Sequence, residues 1–293
     1  MPALLFFSAS GKSFFFGIAL IILAAVVLSI YRSFFTGILL RITLLGGYFL
    51  VIMSTTPLPG WFYWCWFLVL MAFFVSNIIS SDLSRKANLL MATPLILASL
   101  IGLFMELPWQ FTSNHSDSLH DQFYIIGDSI SDGIGRETTW PDLLADEHEV
   151  DVINLAVAGA TCQTALSQAR QIGTENALVL LEIGGNDLLG NQSAKDFGKD
   201  LKALIERVSK NGHTIFLIEL PLDGFKRKYG RIQRRMAKEY GIALIPKRYF
   251  ADVLSADNAT LDGIHLSKTG HEKMAEMVWD QIANNIVKTN RND

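Results

Sequence analysis

An α/β domain with a parallel sheet, preceded by four membrane-spanning helices, is the fold class this sequence predicts. Three observations predict it. Residues 1–110 are almost uncharged and hold apolar stretches of bilayer length, which raises the mean hydropathy of the whole chain to +0.30. From residue 111 onward the composition is ordinary for a globular protein. There, short apolar runs alternate with helix-like stretches, as in a parallel sheet covered on both faces.

Taken in order, four stretches are long enough to cross a bilayer: residues 14–30, 34–53, 61–79 and 89–107. The breaks are residues 31–33, residues 54–60 with Pro57 and Pro59, and residues 80–88 with Arg85 and Lys86. Trp61, Tyr63, Trp64 and Trp66 crowd one end of the third stretch as an interfacial aromatic belt. Lys12 precedes the first stretch as in a signal peptide, but that run is long and no small-x-small cleavage site follows, so it reads as a membrane helix. Gly46, Gly47 and Pro94 read as packing and kink positions. Arg32, Arg85 and Lys86, with Arg41 nearby, put the first and third connections in the cytoplasm under the positive-inside rule. An even number of spans then leaves both termini outside it. The domains expected are a membrane region over 1–110, a polar tether over 111–121 and a globular domain over 122–293.

Strands are expected near 122–126, 150–155, 177–183, 214–220 and 242–245, and helices near 140–147, 161–172, 194–210, 225–240 and 268–287. The order implies three layers, α/β/α. A formal net charge of −3 offers nothing to nucleic acid. Cys65 lies in an apolar stretch and Cys162 in the globular part, so neither a disulfide framework nor a thiolate metal site is indicated. The basic run Lys226, Arg227, Lys228, Arg231, Arg234 and Arg235 reads as a solvated helix face, with contact to anionic headgroups or an anionic substrate as the alternative. His115, His120, His148, His213 and His271 read as surface residues.

The chemistry sits in four segments. Gly127-Asp128-Ser129 follows the apolar run 123–126, which places Ser129 at the carboxyl end of a strand, where open α/β sheets hold their ligands. Later come NLAVAGAT (154–161), GGND (184–187) and DGIH (262–265). Together they offer a nucleophile, two kinds of oxyanion donor, and a base with its carboxylate.

These segments resemble the SGNH (GDSL-type) hydrolases, particularly the thioesterase-like and lysophospholipase-like members, over about residues 122–287 and not in the membrane region. The resemblance matches Ser129 to the nucleophile, Gly159 and Asn186 to the block glycine and asparagine, and His265 and Asp262 to the histidine and its partner acid. Leu266 departs from the proline many members carry after that histidine, which alters the loop but removes no reacting group. The resemblance implies a flavodoxin-like domain and a serine esterase needing no metal or organic cofactor. A serine hydroxyl needs an imidazole to take its proton, and Asp262, three residues before His265, orients that ring. The backbone N–H groups of Ser129 and Gly159 and the Asn186 amide would receive the oxyanion.

Each residue also has a plainer reading: Ser129 and Asn186 as helix caps, Gly159 as a turn glycine, and Asp262 with His265 as metal ligands, although no third ligand follows at suitable spacing. Asp128 reads as a loop-bonding residue. The expected substrate is a lipid or lysophospholipid-like acyl ester near the membrane. An O-acetyl esterase of cell-envelope polysaccharide is the alternative within enzymes, and a catalytically inert domain in a membrane assembly the alternative outside them. No protein partner of the helices can be read from the chain.

Overall fold

The computed structural model describes residues 3–30, 34–79, 85–112, 118–134, 138–222 and 226–288. Arg32, the side chain of Arg85, His115, most of the third connection, residues 113–117 of the expected tether, and Phe225 at the expected start of a helix lie outside the described residues. The chain divides into two compact units, one of Phe7–Gln110 with Leu222–Arg227, the other of Met1–Phe6, Phe111–Pro221 and Lys228–Asp293.

After a short helix α1 (Ala3–Ala9), the first unit contains α2 (Lys12–Ile30), α3 (Phe34–Met53), α4 (Gly60–Ile79) and α5 (Arg85–Glu106). All four are long and apolar enough to cross a membrane. A Cβ on Gly17 would stand 2.5 Å from Gly47 O and one on Gly47 2.8 Å from Gly17 O, so α2 and α3 cross at glycine-to-glycine distance. Gly46 has no such role, since a Cβ there meets nothing within 4 Å. Arg41 on α3 is tied to Asn77 on α4 through the amide oxygen at 3.1 Å and the backbone carbonyl at 3.0 Å. Phe14, Ile21, Leu44, Leu70 and Leu95 are fully buried between the helices, whereas Phe35, Leu39 and Leu90 face outward. The expected aromatic belt is only half realised. Trp61 and Trp64 are exposed, but Tyr63 and Trp66 are buried, because α4 turns them into the bundle.

The second unit holds β1 (Gln122–Gly127), α6 (Ser129–Asp132), α7 (Trp140–His148), β2 (Asp151–Asn154), α8 (Leu166–Ala169), β3 (Leu178–Glu182), α9 (Gly185–Leu189), α10 (Ala194–Val208), β4 (Thr214–Ile218), α11 (Arg227–Tyr240), β5 (Ala243–Ile245), α12 (Lys247–Ser255) and α13 (Lys268–Ile282). The five strands are all parallel, in the order β2-β1-β3-β4-β5. This is the flavodoxin-like order, and its crevice opens between β1 and β3, where the connections leave in opposite directions.

Period-two alternation sends Phe123, Ile125, Leu178, Leu180, Phe216, Ile218 and Ile245 into one core with Trp140, Leu144, Phe250, Met274 and Val278. The alternate residues Val179, Leu181, Ile215 and Leu217 are equally buried on the other face, and α10 contributes Phe197, Leu201, Leu204 and Ile205 at helical spacing to the core.

Several sequence expectations are corrected here. The helix expected over 161–172 is the single turn α8, and α12 was not anticipated. Arg234 leaves the basic face: it is buried and pairs with buried Glu219, Nε to Oε1 at 2.6 Å. His271 is buried, its Nδ1 accepting the Trp140 N–H at 3.1 Å. His120 is buried at the amino end of the sheet, bonded to Asn176 O and, at 2.8 Å, to Thr214 Oγ1.

Candidate active site

β1, β2 and β3 end side by side, and their outgoing loops deliver three of the expected residues to one place. β1 runs into Asp128 and Ser129, which opens α6. The Asp128 carboxylate caps that helix by accepting the Ile130 N–H at 3.1 Å. Gln168 pairs with both backbone groups of Gly127, each at 3.0 Å, so the turn cannot slip along the strand.

The loop after β2 carries Gly159 at φ +77°, a left-handed conformation that explains glycine here, since a Cβ would meet nothing within 4 Å. Three bonds fix this loop: Val157 N–H to Gly127 O at 3.2 Å, Ala158 N–H to Asp132 Oδ2 at 2.8 Å and Cys162 N–H to Asp187 Oδ2 at 3.0 Å. Among the described residues, neither the Ser129 N–H nor the Gly159 N–H donates a hydrogen bond.

Asn186 enters α9 after β3. Its Nδ2 donates to Asp128 Oδ2 and to Ala160 O, each at 3.0 Å. Both amide hydrogens are thus engaged, and one must be released or shared before it reaches a substrate oxygen.

Asp262 and His265 lie in the loop before α13. Asp262 Oδ1 accepts the backbone N–H groups of Ile264 at 3.0 Å and His265 at 2.9 Å, and Oδ2 meets His265 Nδ1 at 2.6 Å. The His265 backbone N–H and ring, with the Ile264 N–H, hold the Asp262 carboxyl well below the usual carboxylate range. An ionised Asp262 fixes the tautomer with the proton on Nδ1, which leaves Nε2 as an acceptor. Among the described residues neither Nε2 nor the Ser129 hydroxyl has a hydrogen-bond partner. Burial raises the Asp128 carboxyl, while the Ile130 N–H bond and His265 pull it down. Burial outweighs that pull and, with help from Asp187, leaves Asp128 at about 6.

Two groups here, Glu182 and Gln168, lie outside the motifs read from sequence, and a third, Asp187, closes the GGND segment. Glu182, Gln168 and Asp187 are all buried beneath the site. The one available signal was an acid, Glu182, at the end of an otherwise apolar strand. Cys162 is buried, and burial followed by the Asp187 charge pushes its thiol well up, so it stays protonated. Among the described residues no group of three or more His, Cys, Asp or Glu is placed to hold a metal ion.

A family model described as "GDSL-like Lipase/Acylhydrolase family" matches residues 125–273. Esterase TesA of Pseudomonas aeruginosa is 29% identical over 178 residues, covering 54% of this chain and 86% of that protein. An arylesterase of Vibrio mimicus is 24% identical over 190 residues, covering 60% of this chain and 95% of its own. A crystal structure of TesA superposes with a TM-score of 0.50 at 24% identity, covering 55% of this chain and 97% of the other, which speaks to the fold alone. The match to the family model begins after the four apolar helices.

Proposed function

The chain belongs to the GDSL-like lipase/acylhydrolase family and is a carboxylic ester hydrolase; from that premise we propose that Ser129, His265 and Asp262 form its catalytic triad. The observation that carries this reading is the Asp262–His265 pair, 2.6 Å apart, with Nε2 left unengaged. Ser129 Oγ attacks the ester carbonyl carbon while Nε2 takes its proton, and Asp262 stabilises the imidazolium. Negative charge on the former carbonyl oxygen is met by the idle N–H groups of Ser129 and Gly159 and by one Asn186 amide hydrogen released from Ala160 O. Collapse expels the alcohol with the proton from His265. Water, activated by the same ring, then cleaves the acyl-enzyme and regenerates Ser129.

The surroundings favour an acyl ester over an acetylated glycan. Ile134, Val157, Leu189, Leu261 and Ile264, each within five positions of a site residue, are between 38% and 61% exposed. Apolar side chains left in water at the mouth of a site suit a hydrocarbon chain and give a sugar few hydrogen bonds. Residues 12–110 anchor the enzyme through four spans, with Arg32, Arg85 and Lys86 cytoplasmic and the hydrolase domain outside the cytoplasm, so that substrates are lipid or lysophospholipid-like esters at the membrane.

The test is labelling of detergent-solubilised enzyme with a fluorophosphonate, alongside a p-nitrophenyl ester series from acetyl to palmitoyl. Wild type labels and hydrolyses, with kcat/KM rising beyond acetyl, and Ser129→Ala does neither. Labelling of Ser129→Ala at the wild-type rate would overturn the assignment.

A further inference from the structure

The nucleophile turn is wrapped around a carboxyl group that no step above uses. β3 ends on Glu182, which is 2% exposed. Its Oε2 accepts the Ser131 hydroxyl at 2.9 Å and the Asp128 N–H at 3.4 Å. A Cβ on Gly127 would stand 2.7 Å from Ser131 Oγ and 3.1 Å from Glu182 Oε2, so the turn packs against Ser131 as closely as only glycine allows and leaves little room beside the carboxyl. Asp128 carries the connection onward, since its Oδ2 accepts the Asn186 amide at 3.0 Å. One set of bonds therefore joins the end of β3, the Ser129 turn and the oxyanion amide.

Packing alone would place an apolar side chain here, as it does at Leu181 and Ile183 on either side. Burial first, and the Asp128 charge second, push the Glu182 carboxyl well up, so it serves as a neutral acid. The charges facing the adjoining Asp128 are His265, which lowers it, and Asp187, which raises it. A neutral Glu182 adds no second negative charge beneath the oxygen that becomes anionic. It keeps hydrogen-bonding capacity where a hydrocarbon has none.

We propose that Glu182 is a positioning residue for ester hydrolysis, fixing the turn that carries Ser129 and, through Asp128, the direction of the Asn186 amide. The inference rests on the roles assigned above to Ser129 and Asn186. Asp128 retains one amide hydrogen while the other turns from Ala160 O to the substrate oxygen.

Titration of reactive Ser129 with fluorophosphonate gives kcat per competent site in the full-length enzyme, separating chemistry from misfolding. Glu182→Gln, a neutral isostere, should stay within about 3-fold of wild type, whereas Glu182→Leu should lose on the order of 10- to 100-fold in kcat with KM changed less than about 2-fold. In an Asn186→Ala background the same Leu substitution should cost less than it does in the wild-type background, because one of the two groups it positions is already gone. Equal losses in both backgrounds would overturn the proposal, as would full kcat in Glu182→Leu. If the Leu variant does not fold, Glu182→Asp decides: it keeps the acid but withdraws it by a methylene, and should turn over more slowly than Glu182→Gln. An Asp variant at or above the Gln variant would overturn the proposal. Turnover by Ser129→Ala would instead sink the underlying assignment, whatever the Glu182 variants do.

Discussion

Ser129 and His265 act as a unit in the proposed reaction, so removing either should be about as damaging as removing both. Ser129→Ala and His265→Ala are each expected to abolish measurable ester turnover with unchanged circular dichroism. Asn186→Ala should lose on the order of 10²–10³ in kcat, the usual cost of one oxyanion donor. The buried carboxyl gives a pH prediction. The Glu182 pKa in the folded protein lies above its unfolded value, so its contribution to stability is fully present below about pH 4.3 and declines as pH rises toward the folded pKa. Glu182→Gln keeps an amide oxygen for Ser131 and the Asp128 N–H and has no proton to lose. Its melting temperature relative to wild type should climb as pH rises above about 4.3. A difference that stays flat or falls would contradict a protonated Glu182. The proposed site residues stand out in the sequence because Ser129, Gly159 and Asn186 each lie in a short motif and Asp262 and His265 share a fourth. Glu182 was not, because its partners Ser131 and Asp128 are some fifty positions away. His271 failed for a similar reason: its helix reads as amphipathic, and only the fold brings Trp140 N–H to its ring.

At the scale of elements, apolar runs located all five strands to within two residues at each end; β3, β4 and β5 are buried on both faces, which leaves little choice of composition. Helices were harder. α12 (Lys247–Ser255) begins with two basic residues and spans nine positions, too few to establish a period, yet it buries Phe250, Ala251 and Val253. α11 misled in another way, because six cations read as solvent-facing while one, Arg234, turns inward to Glu219. Glu219 also accepts the Lys247 N–H at 3.3 Å, which joins α11, the end of β4 and the start of α12 through one carboxylate. Arg234→Ala strands that buried carboxylate and should cost about 3–5 kcal/mol of stability. Arg235→Ala, one position along on the exposed face, should stay within about 0.5 kcal/mol. Denaturant melts of the two variants make the comparison, and similar midpoints would show that the pair adds little.

For the whole molecule, the open question is on which side of a membrane the ester is cleaved. The four apolar helices have the length to span, and an even count returns the chain to the side from which it started. Arg41 lies on α3 between the first connection and the span's middle and is held by Asn77 near the far end of α4, so its charge is satisfied toward the face shared by connections one and three. Arg32, Arg85 and Lys86 belong to those two connections in the sequence, and loop cations are retained in the cytoplasm. On the proposed orientation the hydrolase domain works outside it. Alkaline phosphatase fused after Asp293 should be active, and the same reporter fused between residues 80 and 88 should not. A shortened chain starting near Ser118 retains every strand of the sheet and all five site residues, and should fold and hydrolyse short soluble esters at near wild-type kcat. Its rate on vesicle-borne lysophospholipid should drop far more than its rate on p-nitrophenyl acetate, because it loses the local concentration that anchoring supplies. An inactive terminal fusion would reverse the orientation. Equal losses on both substrates would remove the reason for placing the substrate in the bilayer, while leaving the ester chemistry of Ser129 intact.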